Sequence, residues 1–347
     1  MVQRLWYYFL RTYVWLGLHF YFRKIIMRGR ENIPSGPVIF ASNHQNAFLD
    51  AFMIVCFNSH FTYSLTRADI FKKPLMEWLL TTLNMLPIYR IRDGWQSLSE
   101  NQKTFDICEK LFLKNGAIVI FPEGNHGGQR RLRPLSKGFT RLAFETLQKH
   151  ADVKISIIPV GINYSDPQAF RSSVSVYFGK EISANEYFRE PLQQHANQLR
   201  NDLATSLKQL ITHVEDAGRY DEVIQKLERT HPNYLDPDDT NKRISSILNN
   251  EVIPIVQTKR EKFNWPLTPL YYLASIINFV PLSLWGSVRK KIKDHVFIAS
   301  IKLTIGIFMF PFYYLLIGWV FYLLFGSLIA ITWWVVSFPS TLFLKKV

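Results

Sequence analysis

The chain has little cysteine, little acid and, over one long stretch, no charge at all. Cys56 and Cys108 are its only cysteines. Two are too few for a disulfide scaffold and they lack metal-ligand spacing, which excludes a zinc framework and favours a reducing compartment. Asp and Glu number 27 against 41 Lys and Arg, a formal net charge of +14. That excess attracts polyanions, with nucleic acid, anionic lipid headgroups and phosphorylated small molecules as the candidates. The absence of a Gly-x-Ser-x-Gly elbow removes support for a serine hydrolase, and the absence of Walker spacing does the same for a nucleotide triphosphatase. There is no internal repeat or low-complexity tract. With 48% hydrophobic and 20% charged residues a disordered chain is excluded. A length of 347 residues exceeds the roughly 150 of an average domain, so two units, or one domain with appendages, are expected.

The charge-free stretch runs from Leu303 to Leu344, 42 residues with Phe308, Phe310, Trp319, Phe321, Trp333 and Trp334 among them. Crossing about 30 Å of hydrocarbon takes about 20 helical residues, so the length predicts two crossings joined near Gly326-Ser327. Cations flank both ends, Arg289, Lys290, Lys291, Lys293 and Lys302 before and Lys345 and Lys346 after, which puts both ends on the cytoplasmic side. A buried helical pair in a soluble core is the alternative. Phe263 to Val288 is also uncharged, but Pro266, Pro269, Asn278 and Pro281 interrupt it and predict a re-entrant or interface-embedded segment. Near the N-terminus, Leu5 to Phe22 is rich in aromatics, with Arg4 and Arg11 seven apart on one helical face. Such a helix suits the lipid interface or packs on the domain; it lacks the small-residue cleavage site of a secretory signal. Membrane phospholipids, and no nucleic acid, are the expected partners.

Between these apolar ends, strand-like runs at 38–41, 62–65, 86–89, 117–121, 155–158 and 174–177 alternate with helical patterns at about 47–57, 73–83, 95–114, 137–150 and 191–214. This is an α/β layout. The expected organisation is an interfacial amphipathic helix at 1–25, an α/β domain at 26–215 with a mixed sheet flanked by helices, a polar helical connector at 216–262, and a membrane-associated region at 263–347 containing a helical hairpin at 303–344.

After the first strand comes Ser42-Asn43-His44-Gln45-Asn46-Ala47-Phe48-Leu49-Asp50. A histidine followed by a carboxylate can become an oriented base. On one regular helix, residues six apart are turned 240° from each other, so His44 must sit in the loop and Asp50 on the first turns of the next helix if they are to meet; a chance capping pair is the alternative. After the strand at 117–121 stands Pro122-Glu123-Gly124-Asn125-His126-Gly127-Gly128, leading into Arg130, Arg131, Arg133, Lys137 and Arg141. That stretch is a candidate phosphate cradle, the alternative being a solvated basic face.

Together these stretches resemble the phospholipid/glycerol acyltransferase superfamily, the lysophosphatidate and glycerol-3-phosphate acyltransferases. Four ordered blocks carry the resemblance: Asn43-His44 through Asp50, Leu86-Pro87-Ile88-Tyr89-Arg90-Ile91-Arg92-Asp93, Phe121-Pro122-Glu123-Gly124, and Ile158-Pro159-Val160-Gly161. Two features depart from the commonest family form. Five residues, Gln45 to Leu49, separate His44 from Asp50, as in the branch that includes fungal glycerol-3-phosphate acyltransferases, and Asn125-His126 replaces the usual small hydroxyl residue.

The resemblance implies transfer of a fatty acyl group from acyl-CoA or acyl carrier protein to a hydroxyl of glycerol-3-phosphate or its 1-acyl derivative, with no metal or redox cofactor. His44 and Asp50 are then catalytic. Asn43, Arg90, Glu123, Gly124, Arg130, Lys137 and Pro159 are the expected substrate contacts, and His126 is either a substrate contact or a loop residue. Another lysophospholipid or an amino-lipid as acceptor, or a non-catalytic lipid-binding protein, are the competing readings. The expected location is a membrane, with the catalytic domain facing the cytoplasm.

Overall fold

The structure, a computed structural model, describes residues 2–89, 99–251 and 268–344. Its strands are β1 (Lys24–Arg28), β2 (Val38–Ser42), β3 (Thr62–Arg67), β4 (Met85–Ile88), β5 (Ala117–Ile120), β6 (Ser156–Tyr164), β7 (Ser173–Phe178) and β8 (Ile182–Ser183). The α-helices are α1 (Val2–Tyr21), α2 (Phe48–Val55), α3 (Pro74–Thr82), α4 (Asn101–Phe112), α5 (Gly138–Lys149), α6 (Ala184–Tyr187), α7 (Leu192–Leu210), α8 (Tyr220–Glu228), α9 (Pro237–Leu248), α10 (Thr268–Ile277), α11 (Phe279–Arg289), α12 (Ile298–Phe325) and α13 (Ser327–Ser340).

One sheet runs in the order β1-β7-β6-β2-β5-β3-β4, with β8 beside the start of β6. It is mixed, as expected: β6 is antiparallel to β7 and β8 and every other pair is parallel. Period-two alternation assigns each central side chain to a layer. Val38, Phe40, Ala117 and Val119 face α1, α2 and the root of α12, whereas Ile39, Ala41, Ile118 and Ile120 face α4, α5 and α7. Burial on both sides explains why these strands read as continuous apolar runs. Helices α8 and α9 form a satellite core around Val223, Leu227, Tyr234 and Ile244.

Helix α1 packs on the domain through Val14 and Leu18, and of its two arginines Arg11 turns inward while Arg4 stays exposed. Arg4 lies 5.8 Å from the Phe61 ring, and Arg11 donates to the carbonyls of Cys56 and Asn58 just past the C-terminus of α2, where carbonyls lack helical donors. The aromatic side, with Trp6, Phe9, Leu16 and Phe20, is exposed. Helix α12 and the short turn before it make a 31-residue apolar run, His295–Phe325. This is long enough to cross a bilayer. Gly326, at φ 84°, turns the chain into α13 where the hairpin was expected. The second arm is shorter than predicted: 14 α-helical residues rise only about 21 Å, because a 3₁₀ turn takes over at Thr341–Phe343. Among the described residues, one helix is therefore long enough to span a bilayer unaided. Upstream, α10 and α11 meet at 78° about Asn278, whose buried amide donates to Ala274 O and Ser340 Oγ. The bend falls at Asn278, one of the expected interruptions, while Pro266 lies outside the described residues.

Candidate active site

The parallel strands β2 and β5 are neighbours and end side by side, which places the loops after them together at the carboxyl edge of the sheet, where open α/β sheets bind ligands. His44 comes from the first loop and Glu123 from the second. Asn43 secures the start of the first. Its amide pairs with the backbone of Ile162 in both directions, Nδ2 to O at 3.0 Å and Oδ1 from N at 2.8 Å, extending the sheet by one side chain.

The chain then turns through Ala47, at φ 46°, a region that costs an L-residue energy. The turn brings Asp50, in the first turn of α2, back onto the loop. Asp50 Oδ2 accepts from the amides of Gln45 and Asn46 at 2.8 and 2.7 Å and lies 2.9 Å from His44 Nδ1. Tyr164 at the end of β6 donates to Oδ1 at 2.7 Å, and Asp50 is fully buried. Burial, followed by the adjacent carboxylate, raises the Tyr164 hydroxyl well above its ordinary pKa, keeping it a donor. Carboxylate contact at Nδ1 leaves His44 Nε2 for chemistry. The imidazole stacks on Phe121, centroids 4.0 Å apart at 15°.

Glu123 holds the two loops in register. Its Oε1 accepts from the His44 amide at 3.0 Å and its Oε2 from Arg133 Nε at 2.7 Å, while Gly127 N donates to His44 O at 3.1 Å. Burial raises the Glu123 pKa against the opposing pull of Arg133. Gly124 turns at φ 69°, and a Cβ there meets nothing within 4 Å, so its need for glycine is conformational. His126 is 9% exposed at its side chain, 3.8 Å from Asp294, with its ring 5.7 Å from that of His44 and edge-on to Phe297 at 4.9 Å. Its buried Nε2 has no hydrogen-bond partner among the described residues. Burial, then the cationic form of His44, lowers the His126 pKa.

The structure thus brings Asn43, His44, Asp50, Glu123 and Gly124 together and directs other candidates elsewhere. Arg130 donates to Tyr164 O at 3.1 Å and lies 3.4 Å from the centre of the Tyr234 ring, tying the satellite helices to β6; burial lowers its pKa. Pro159 is buried within β6 opposite Ala41 and its carbonyl holds Gly179 N at 2.8 Å, a structural position. Lys137 is exposed at the start of α5. Arg90 lies outside the described residues. Sequence reasoning missed Tyr164, Arg133 as the partner of Glu123, and Arg67, which ends β3 and bonds both Asp69 and Asn125. Tyr164 was reachable, because alternation from Ile158 through Val160 and Ile162 puts it on the face of the sheet that carries α2.

Residues 24–163 match the family model described as Acyltransferase. They form an acyltransferase-family domain. Among curated relatives, this domain is similar to the chloroplastic 1-acyl-sn-glycerol-3-phosphate acyltransferase BAT2 of Brassica napus, 28% identical over 38% of this chain and 38% of that protein. It is also similar to glycerol-3-phosphate O-acyltransferase 1 of Saccharomyces cerevisiae, 32% identical over 29% of this chain and 14% of that protein. The chain spans well under half the length of these relatives. The crystal structure of the 1-acyl-sn-glycerophosphate (LPA) acyltransferase PlsC from Thermotoga maritima aligns over 60% of this chain and 83% of that one, with TM-score 0.44 and 17% identity. The acyltransferase domain contains His44, Asp50 and Glu123, while α10 to α13 lie outside the matched residues.

Proposed function

We propose that the chain is a glycerolipid O-acyltransferase that moves a fatty acyl group from acyl-CoA or acyl carrier protein to a hydroxyl of glycerol-3-phosphate or 1-acylglycerol-3-phosphate, as part of phospholipid synthesis. The observation that carries this reading is the His44–Asp50 pair, 2.9 Å apart, with the carboxylate fully buried and supplied with three further donors. An alcohol is a poor nucleophile at neutral pH. His44 Nε2 takes its proton as the oxygen attacks the thioester carbonyl, Asp50 stabilises the imidazolium, and the proton passes to the departing thiolate. One C–O bond forms and one C–S bond breaks, with no enzyme-bound acyl intermediate and no step that calls for a metal or redox cofactor.

Glu123 and Arg133 hold the loop that carries Gly124 and His126, and the unpartnered Nε2 of His126 offers a contact for the group bound beside His44. Arg67 and Arg90 are the guanidinium groups we nominate for the acceptor phosphate, since their planar fork matches its oxygens. Long acyl chains gain about 0.8 kcal/mol per buried methylene, so donor and acceptor stay close to lipid. Helix α12 and the exposed aromatic face of α1 seat the domain on the cytoplasmic leaflet.

The test is acyl transfer by purified protein in lipid nanodiscs, with labelled acyl-CoA or acyl carrier protein and a panel of acceptors. Product should form with a glycerol-phosphate acceptor, and His44→Ala should abolish it. Activity surviving in His44→Ala, or acylation confined to acceptors without phosphate, refutes the proposal. In the same assay His126→Ala should slow transfer and His126→Gln, which retains a nitrogen at the Nε2 position, should recover part of it.

A further inference from the structure

The chain from 121 to 137 carries Glu123, Gly124 and His126 and holds no helix or strand. Connections of that length are uncommon in compact domains, and their buried backbone groups need partners to stay in place. Part of the support comes from the site itself, where Gly127 N meets His44 O and Arg133 meets both Glu123 and the His126 carbonyl. The rest comes from the turn after α7 and the start of α8, outside the residues matched to the family. Arg130 N donates to the Tyr220 hydroxyl at 2.8 Å, Val214 N to Arg130 O at 3.1 Å, and Leu132 N to His213 Nδ1 at 2.9 Å. Arg133, the partner of Glu123, is the next residue along. The His213 side chain is 7% exposed, and its partners fix its tautomer. Nδ1 accepts and so carries no proton, while Nε2 donates to Glu215 Oε2 at 2.9 Å. The backbone of His213 is anchored in turn, its N donating to Asn241 Oδ1 of α9 at 2.9 Å. The charged groups acting on the ring are Glu215, Lys208 of α7 and Arg131 of the loop. Burial lowers the His213 pKa against the pull of Glu215, with Lys208 and Arg131 adding to the fall, which keeps Nδ1 an acceptor.

We infer that His213 and Tyr220 are positioning residues for the proposed active site: by accepting the amides of Leu132 and Arg130 they set the place of Arg133 and, through its bond to Glu123, that of the loop beside His44. Leu132 is buried, so an amide released there either stays unpaired or pulls the side chain out of the core, and both cost energy. Arg130 ties the same clamp to the other side of the site, since its Nη1 donates to Tyr164 O at 3.1 Å and the Tyr164 hydroxyl donates to Asp50. The consequence for acyl transfer rests on the function proposed above; the placing of the loop does not.

The experiment places the native full chain, His213→Ala, His213→Asn and Tyr220→Phe in phosphatidylcholine nanodiscs and reads deuterium uptake of the peptide covering 124–133 together with acyl transfer across pH. Asparagine keeps an acceptor, Oδ1, near the place of Nδ1 and does not titrate. Uptake in 124–133 should quicken about tenfold in His213→Ala and in Tyr220→Phe, the effect of one buried amide left without its acceptor. Peptides from β2 and α2 should stay at the native rate, and His213→Asn should restore the loop. Transfer should follow, with kcat about tenfold lower in His213→Ala and close to native in His213→Asn. Acid protonates Nδ1 and removes the acceptor, so kcat of the native chain should fall more steeply on the acid side than that of His213→Asn. Native uptake in both His213→Ala and Tyr220→Phe, uptake raised equally across the chain, or acid limbs that coincide overturns the inference. Should His213→Ala not fold, Tyr220→Phe, which removes one oxygen, decides by its uptake alone. A native chain that acylates no acceptor sinks the activity, and faster uptake confined to 124–133 then still upholds the positioning.

Discussion

Replacing Asp50 by Asn separates charge from shape at the turn we propose as catalytic. The carboxylate meets four donors, three on Oδ2 (His44 Nδ1 and the amides of Gln45 and Asn46) and the Tyr164 hydroxyl on Oδ1. An asparagine that keeps its oxygen in the Oδ2 position still accepts from all three, and its NH₂ then faces Tyr164, whose hydroxyl rotates to accept. The loop therefore keeps its geometry and the imidazole its tautomer. What disappears is the negative charge opposite the imidazolium that forms during proton transfer. Two unit charges about 4 Å apart interact by about 4 kcal/mol at an effective dielectric of 20, and 1.36 kcal/mol corresponds to a tenfold change in rate. Asp50→Asn should accordingly lower kcat about a thousandfold, with KM for the acceptor nearly unchanged and the thermal midpoint close to that of the native chain. Steady-state acyl transfer in nanodiscs, alongside thermal unfolding, reads both quantities. A folded Asp50→Asn protein that retains kcat within tenfold of native refutes the assignment of Asp50 as the charge that steadies His44.

Arg133→Ala leaves Glu123, 4% exposed at its side chain, without its guanidinium partner, and should destabilise the protein by about 2 kcal/mol in chemical denaturation; adding Glu123→Gln should recover part of the loss. Burial lowers the pKa values of His60, His126 and His213. The unfolded chain therefore protonates these groups first as pH falls. Their contribution to stability is complete above about pH 6.5 and lost as pH falls through the folded-state values. The thermal midpoint should drop in that window, and His126→Gln should flatten the slope. Removing residues 308–347 preserves the packing of Ile307 on Gly17 and deletes most of the apolar run. That protein should leave membranes on alkaline carbonate extraction whereas the full chain stays with them; extraction of the full chain contradicts a spanning α12.

The central strands and the loops after β2 and β5 were legible because their information is local. Val38 to Ala41 and Ala117 to Ile120 are apolar on both faces, and the spacing of His44 and Asp50 admits contact between them in one way, loop against helix start. The edge strand β1 was not legible. Lys24-Ile25-Ile26-Met27-Arg28 is a short run bounded by cations at the end of an aromatic helix, and only its parallel pairing with β7, nearly 150 residues downstream, makes it a strand. The basic run after Glu123 shows the same limit. Its composition suggests one shared role, yet Arg133 pairs with Glu123, Arg130 meets Tyr234 from the distant turn between α8 and α9, and Lys137 faces solvent. Long-range contacts divide residues that composition groups. Arg4 and Arg11 were correctly placed on one face of α1, but which way that face points depends on the exposed carbonyls after α2.

Ser300, at the root of α12, accepts from the Leu49 amide at 3.1 Å and donates to the Asn46 carbonyl at 2.8 Å. It pins the two ends of the turn that delivers Asp50. The pinning residue lies 251 positions after Leu49, so a ribosome working at 5–20 residues per second needs roughly 12–50 s to supply it. During that interval the nascent turn lacks its clasp. Because the clasp belongs to the apolar helix, the turn that carries Asp50 is completed only when that helix packs onto the domain.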